Sequence, residues 1–205
     1  MAIEAVQNIQ ITFGEREGRA LHVTIDTEHL HLKSPKSNAK YHERYFSLFG
    51  NPEVMHLYLD GQVWDMERVK NRVDQLWSKR WDNGDPYSAF AVFLKPLEKG
   101  QKKEFIGHIV LGHGDEPGVG VLGGLGVPAH WNKKYGTEAL KALIAYARET
   151  KVRGYELDGK PLELITATVS DANIGSKKVM QKAGMACDEK AGEPGVAKKS
   201  FSLKV

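Results

Sequence analysis

The sequence predicts a mixed α+β fold, and three observations predict it. Short β-prone runs are separated by glycine-bearing or polar turns. Amphipathic helical stretches stand between them. No repeat, low-complexity tract or linker divides the 205 residues. A chain of this length suits one domain, so residues 1–205 read as a single unit in which helices cover a mostly antiparallel sheet.

The elements follow in order. Residues 8–13 and 20–25 flank Gly14-Glu15-Arg16-Glu17-Gly18 and read as an N-terminal hairpin, two β-prone runs around a glycine-bearing turn. His29-Leu30-His31-Leu32-Lys33 alternates and stops at Ser34-Pro35, as a short strand does. Tyr41, Tyr45, Leu48 and Phe49 share one helical face, and Met66, Val69, Val73, Leu76 and Trp77 share another. The stretch 50–59 between them reads as a loop with a short helical turn. Asn83-Gly84-Asp85-Pro86 breaks the second helix, and residues 88–95 and 105–111 are strands around the polar turn 98–103. Residues 119–127 form a glycine-rich strand ended by Pro128, which has no amide hydrogen to donate. A helix spans 133–150, with Leu140, Leu143, Ile144 and Ala147 on one side. A strand at 162–169 leads into a helix at 173–183, with Asp171 or Asn173 as its cap, and short strands near 185–188 and 199–205 close the chain.

Composition narrows the function. A hydrophobic fraction of 41% supports an ordinary core. The net charge of +3 is too weak to argue for nucleic acid, although it favours an anionic cofactor. Cys187 stands alone, so neither an intrachain disulfide nor a thiolate zinc site is available, and no metal is expected. The first residues carry Glu4, Gln7, Asn8 and Gln10 where a signal peptide has basic and then apolar residues. No apolar run reaches the roughly 18 residues of a membrane span. The expectation is a soluble cytoplasmic protein, monomer or homodimer, with neither nucleic acid nor membrane as partner.

Two segments carry chemistry. His130-Trp131-Asn132-Lys133-Lys134-Tyr135-Gly136-Thr137-Glu138-Ala139-Leu140 opens a helix just after the glycine-rich strand. A helix start exposes unpaired amide hydrogens and the positive end of a dipole, and a phosphate satisfies both. Gly136 lets the backbone approach closely, and Lys133 and Lys134 add positive charge. Asp171-Ala172-Asn173-Ile174-Gly175-Ser176 then starts the next helix, placing Asn173 and Ser176 on adjacent turns of one face. Capping accounts for one polar residue there, but not for both in this order behind a phosphate-type turn.

With these segments, residues 27–205 resemble the GCN5-related N-acetyltransferase (GNAT) superfamily, most of all its RimJ/RimL-type branch. Thr27-Glu28-His29-Leu30-His31-Leu32 resembles that branch's opening strand, and Asn51-Pro52-Glu53-Val54-Met55 the loop between its first helices. Phe105-Ile106-Gly107 resembles its third strand, and residues 131–140 its pyrophosphate loop, commonly Trp-Gly-Lys-Gly-Tyr-Gly-Thr-Glu-Ala. Asn173, Ser176, Lys182 and Gly184 match the following helix motif, with Met185 where phenylalanine is usual. The hairpin within residues 1–26 lies outside the likeness.

The resemblance implies an acetyl-CoA-dependent N-acetyltransferase. Its central sheet is splayed into a V between the strands at 119–127 and 162–169 and flanked by about four helices. Amides near Leu125, Gly126 and Val127 would pair with the pantetheine arm, and those of Lys133, Lys134, Tyr135, Gly136 and Thr137 would cradle the pyrophosphate. Asn173 would bond the pantetheine region, and Ser176 would lie near the sulfur. A primary amine, either a protein N-terminus or a small molecule, would attack the thioester directly. Several residues depart from the family. Asn132 and Lys134 replace glycines, and the Lys134 side chain has three fates: solvent, a phosphate, or a clash. Val121 replaces a common glutamate base, and Met180 replaces a common tyrosine acid. Ser176 or a water is left as the acid candidate, and Glu193 in the final loop is the candidate to meet the amine. The alternative is a non-catalytic acyl-CoA-binding or interaction module on a degenerate acetyltransferase fold.

Other signals have plainer readings. Gly118-Val119-Gly120-Val121-Leu122-Gly123 spells a dinucleotide fingerprint, but runs into Gly124-Leu125-Gly126-Val127-Pro128 and cannot open a helix. His29 and His31 lack a third ligand and read as a strand pair. His113, Asp115 and Glu116 are candidates for a general base or, more simply, a solvated turn. Tyr58, Trp64 and Tyr87 are candidates for an acceptor pocket or for core.

Overall fold

The computed structural model describes residues 8–16, 19–98, 100–188 and 198–205. Along the chain run β1 (Gln10–Arg16), β2 (Arg19–Asp26), β3 (Leu30–Lys33), α1 (Ala39–Phe49), α2 (Pro52–Met55) and α3 (Met66–Arg72). A π-helical stretch, Val73–Ser78, continues α3 into α4 (Lys79–Asp82). Then come β4 (Ala89–Leu94), β5 (Glu104–His113), β6 (Val119–Gly126), a 3-10 turn at Pro128–His130, and α5 (Tyr135–Val152). β7 (Glu156–Leu157), β8 (Lys160–Pro161), β9 (Leu164–Ser170), α6 (Ile174–Lys182), β10 (Ala186–Asp188) and β11 (Lys198–Lys204) complete it.

Among the described residues one nine-stranded sheet has the order β1-β2-β3-β4-β5-β6-β9-β11-β10, and β7 and β8 form a separate hairpin. Every ladder in the large sheet is antiparallel except β6 with β9. That parallel ladder is short: Val119 faces Leu164, Gly120 faces Ile165 and Val121 faces Thr166. Beyond it β6 runs on to Gly126 beside β5, and β9 to Ser170 beside β11, without pairing to each other. The sheet therefore opens into a V, as expected.

The two faces bury different sets of side chains. α5 lays Leu140, Leu143, Ile144 and Ala147 against Phe90, Ile109, Leu122 and Ile165. Each large apolar side chain fully buried this way contributes roughly 1.5–3 kcal/mol. On the opposite face α1 and the α3–α4 helix pack Tyr45, Phe49, Val69, Val73 and Trp77 over Ala89, Ala91 and Phe93. Because side chains alternate across a strand, Leu122 looks toward α5 whereas Val121 and Gly123 look toward α1–α4.

The structure refines the expectations in three places. The helix expected around Val69 and Trp77 is not uniform. Val69, Val73, Trp77 and Trp81 are all buried at a strict spacing of four. On a 3.6-residue helix that spacing drifts by about 40° per step. The wider π turn takes up the drift, and the Trp77 carbonyl accepts from the buried Ser88 hydroxyl at 2.9 Å. The hairpin β7–β8 was not expected at all. Its turn is Asp158-Gly159, both at positive φ (53° and 82°), a two-residue connection with a recognisable sequence signal. The helix read from residue 133 begins instead at Tyr135, because Lys134 adopts φ 68° and cannot be helical.

Candidate functional site

The wide end of the V is assembled from three pieces of chain. The first is the end of β6. The Val127 amide donates to Ile106 O at 2.9 Å, and antiparallel alternation turns the Leu125 amide toward β5 as well. These two amides are therefore spent on the sheet, contrary to the role the resemblance gave them. The amides of Leu122, Gly124 and Gly126 face the gap. The Gly126 carbonyl accepts from the Trp131 indole nitrogen at 2.7 Å, which ties the next loop to the strand end.

The second piece is the turn into α5. Asn132 (φ 61°) and Lys134 (φ 68°) are both left-handed. These are the two positions where the resembled loop carries glycine, and left-handed geometry is the reason glycine is suited there. The first hydrogen bond of α5 is Glu138 N to Lys134 O at 3.1 Å, and no side chain caps the helix. The amides of Tyr135, Gly136 and Thr137 thus have no partner within α5. Lys133 and Lys134 are exposed. A Cβ on Gly136 would meet Val179 Cγ2 at 3.5 Å, which brings the start of α5 beside α6.

The third piece is the start of α6. Asn173 is its cap, resolving the choice between Asp171 and Asn173. Its side-chain oxygen accepts from the Ser176 amide at 2.9 Å. That bond occupies the oxygen and leaves the Asn173 NH2 for a ligand. Ser176 is half-buried on the same turn. Glu193 lies outside the described residues.

This arrangement fits a diphosphate-bearing thioester cofactor. Uncapped amides, a glycine without Cβ and two lysines form a cradle at one end, and an unpaired strand edge leads inward from it. Among the described residues no group of three or more His, Cys, Asp or Glu could hold a metal ion.

On the α1–α4 side of the gap, Val121 is 40% exposed and supplies no base. Two residues along, a Cβ on Gly123 would meet the Tyr58 hydroxyl at 3.2 Å. Burial pushes the Tyr58 phenol up, against a smaller opposing pull from Arg72, so it is a proton donor at neutral pH. Of the three aromatics weighed for an acceptor pocket, Tyr58 alone presents a polar group at the gap. Tyr87 is buried with its hydroxyl on Tyr155 O at 3.2 Å, and Trp64 is buried beneath arginines.

The remaining candidates lie away from the gap. His113 is clamped between Asp158 (2.9 Å) and Asp85 (2.9 Å) rather than solvated. His31 bonds Asp26 at 3.0 Å and His29 bonds Glu138 at 3.0 Å, so the histidine pair is divided between two carboxylates. Glu138 gave no signal of this role in the sequence. It also accepts from the Thr27 hydroxyl at 2.5 Å and the His29 amide at 2.9 Å, locking α5 to the turn before β3.

Comparison with known proteins agrees with this fold. The family described as an acetyltransferase (GNAT) domain matches residues 29–186. No curated protein matches the chain. Among solved structures, a GNAT-family acetyltransferase from Bacillus anthracis is similar at 23% identity, covering 89% of this chain and 97% of that one, with a TM-score of 0.65. An acetyltransferase from Agrobacterium tumefaciens str. C58 is similar at 21% identity over 95% and 97% of the two chains, TM-score 0.67. RimL, a ribosomal L7/L12 alpha-N-protein acetyltransferase in complex with coenzyme A, is similar at 16% identity over 87% and 96%, TM-score 0.64. At these identities the structures speak for the fold, while the family match spans most of the chain: this protein belongs to the GNAT acetyltransferase family.

Proposed function

We propose that the protein transfers acetyl from acetyl-CoA to a primary amine by direct attack, without an acyl-enzyme. The acceptor is a protein N-terminus, as in the RimJ/RimL-type branch, or a small amine. One observation carries the reading: β6 and β9 part after Val121 and Thr166, beside a helix start whose first amides have no capping side chain.

Bound acetyl-CoA would supply an acetyl thioester whose carbon–sulfur bond gives way as a carbon–nitrogen bond forms. The chain's own contribution is orientation and proton handling. The amides of Lys133 to Thr137 hold the diphosphate, and the amides of Gly124 and Gly126 with the Asn173 NH2 align the arm. Tyr58 and Ser176 are the hydroxyls placed at opposite sides of the gap. Ser176 donates to the departing sulfur, and Tyr58 donates to the oxygen on which charge develops. Val121 supplies no base, so the amine sheds its proton to water or to Glu193.

The test is isothermal titration with acetyl-CoA, followed by thiol release over a panel of primary amines. Micromolar binding and amine-dependent release are expected, with Asn173→Ala weakening cofactor binding. Absence of binding at high micromolar cofactor overturns the proposal.

A further inference from the structure

Beside the acceptor side of the gap stands a cluster of hydrogen-bond donors with no acceptor among them. Trp64 stacks on Phe49 at 4.4 Å between ring centroids, and Phe49 meets the Tyr58 ring edge-on at 6.1 Å. Two ring contacts therefore separate Trp64 from the hydroxyl that sits over Gly123. The indole is only 3% exposed, and its Nε1 hydrogen has no partner among the described residues. Buried donors are almost always satisfied, so an orphan of this kind asks for an explanation.

The same ring carries two guanidinium groups. Arg68 lies 4.5 Å and Arg72 5.5 Å from its centroid, one helical turn apart on α3. Neither forms an ion pair with a carboxylate among the described residues. Among the described residues Glu67, beside Arg68, forms no ion pair with either arginine, and three other acids close in sequence are committed elsewhere. Asp65 caps α3 through the Arg68 amide, Asp60 accepts from the Gln62 amide, and Asp74 holds His42 at 2.7 Å. Two like charges placed on one ring without a counter-ion repel each other, and an anion between them removes that repulsion. Arg72 is also near enough to act electrostatically on Tyr58, His108 and Arg80, the polar groups of this face. Leu59 and Val63, 59% and 47% exposed, border the cluster on the loop that carries Trp64.

We propose that Arg68, Arg72 and the Trp64 indole form an anion-binding subsite that holds a carboxylate or phosphate carried by the acceptor. The substrate class is then an amine with an anionic group, its nitrogen directed past Tyr58 toward the gap. This assignment rests on the acetyltransferase reading for the amine end, whereas the anion end stands on the cluster itself. Polycationic amines are excluded by the same arginines.

The test uses matched pairs: Gly-Glu-NH2 against Gly-Gln-NH2, and phosphoethanolamine against ethanolamine, with spermidine as the polycation. Binding is followed by tryptophan fluorescence and calorimetry without cofactor, and acetylation by thiol release with acetyl-CoA. The anionic member of at least one pair should bind and react about tenfold better than its neutral partner. Which pair responds distinguishes carboxylate from phosphate. Arg72→Gln and Arg68→Gln should each raise KM for the anionic member, leaving the neutral member and acetyl-CoA affinity unchanged. Trp64→Phe keeps the ring and deletes the orphan hydrogen. It should weaken the anionic probe while leaving the free protein as stable or more so. Equal handling of both members, or arginine variants that shift both alike, overturns the subsite and leaves the transferase reading intact. Arginine-dependent binding of the anionic probe by a protein that binds no acetyl-CoA does the reverse.

Discussion

Lys134 holds a backbone conformation that costs an ordinary residue about 1–2 kcal/mol. Its φ of 68° follows from the turn that must aim the next amides outward, and its side chain is exposed, with no partner among the described residues to offset the strain. Lys134→Gly should therefore raise stability by about 1 kcal/mol in urea unfolding. Acetyl-CoA affinity should hold within about threefold, since an exposed charge is worth only about 0–1 kcal/mol and the proposed grip is through amides. A tenfold loss would mean that the lysine itself reaches the phosphate. Gly136 gives the converse test. It is not at positive φ, and a methyl there meets Val179 at ordinary contact distance, so the fold has room for alanine. Gly136→Ala should leave the thermal midpoint unchanged or slightly raised, yet weaken acetyl-CoA about tenfold by standing where, in the proposed complex, the diphosphate approaches the backbone.

Among elements, α5 does two jobs at once. Its apolar side seats the helix on the sheet, and Glu138 in its first turn fixes the chain before β3 through Thr27 and His29. A carboxylate near a helix N-terminus also opposes the dipole favourably. Hydrogen bonds to a charged acceptor contribute about 1.5–3 kcal/mol, so Glu138→Ala should cost about 2–3 kcal/mol in chemical denaturation. Cofactor affinity should fall with it, because the α5 start loses its anchor. A stability change within about 0.5 kcal/mol would show that packing alone positions this helix. None of that coupling was legible in the sequence, where Thr27 and Glu138 are far apart. The helix itself was legible, because Leu140, Leu143, Ile144 and Ala147 repeat with its period. The turn into α5 was legible as well, because glycine, lysine and an apolar helix start are local features. The role of the β6 amides was not, since a strand's sequence does not say which neighbour takes which hydrogen. The π turn hid because its signal, buried residues every fourth position, looks helical until burial is known.

At the scale of the whole molecule, the sheet divides two cores of different character. The α5 side is largely aliphatic at the centre, whereas the α1–α4 side is aromatic and encloses His108 among Tyr45, Phe49 and Trp77. His108 Nδ1 is 3.5 Å from the Tyr45 hydroxyl and its Nε2 has no partner among the described residues, none of which offsets a charge there. Burial, helped by the Arg72 guanidinium, pushes its pKa down from 6.5 to about 3. The sign of the consequence follows from which state binds the proton. Between these pKa values the unfolded chain carries a proton on this ring and the folded chain does not. The neutral ring's contribution is thus complete above about pH 6.5 and is lost as pH falls toward about 3. The slope is about 1.4 kcal/mol per pH unit through that window, several kcal/mol in all. His108→Phe retains a ring of similar shape and cannot take up the proton. Urea unfolding at steps from about pH 7 to about pH 4 should find the two proteins closest near neutrality, with wild type falling behind steadily below about pH 6. Parallel curves would mean that water enters the aromatic core and charges the histidine without unfolding it. The face that carries Tyr58, Arg72 and Trp64 would then be wet, and donors buried there would no longer be waiting for a substrate anion.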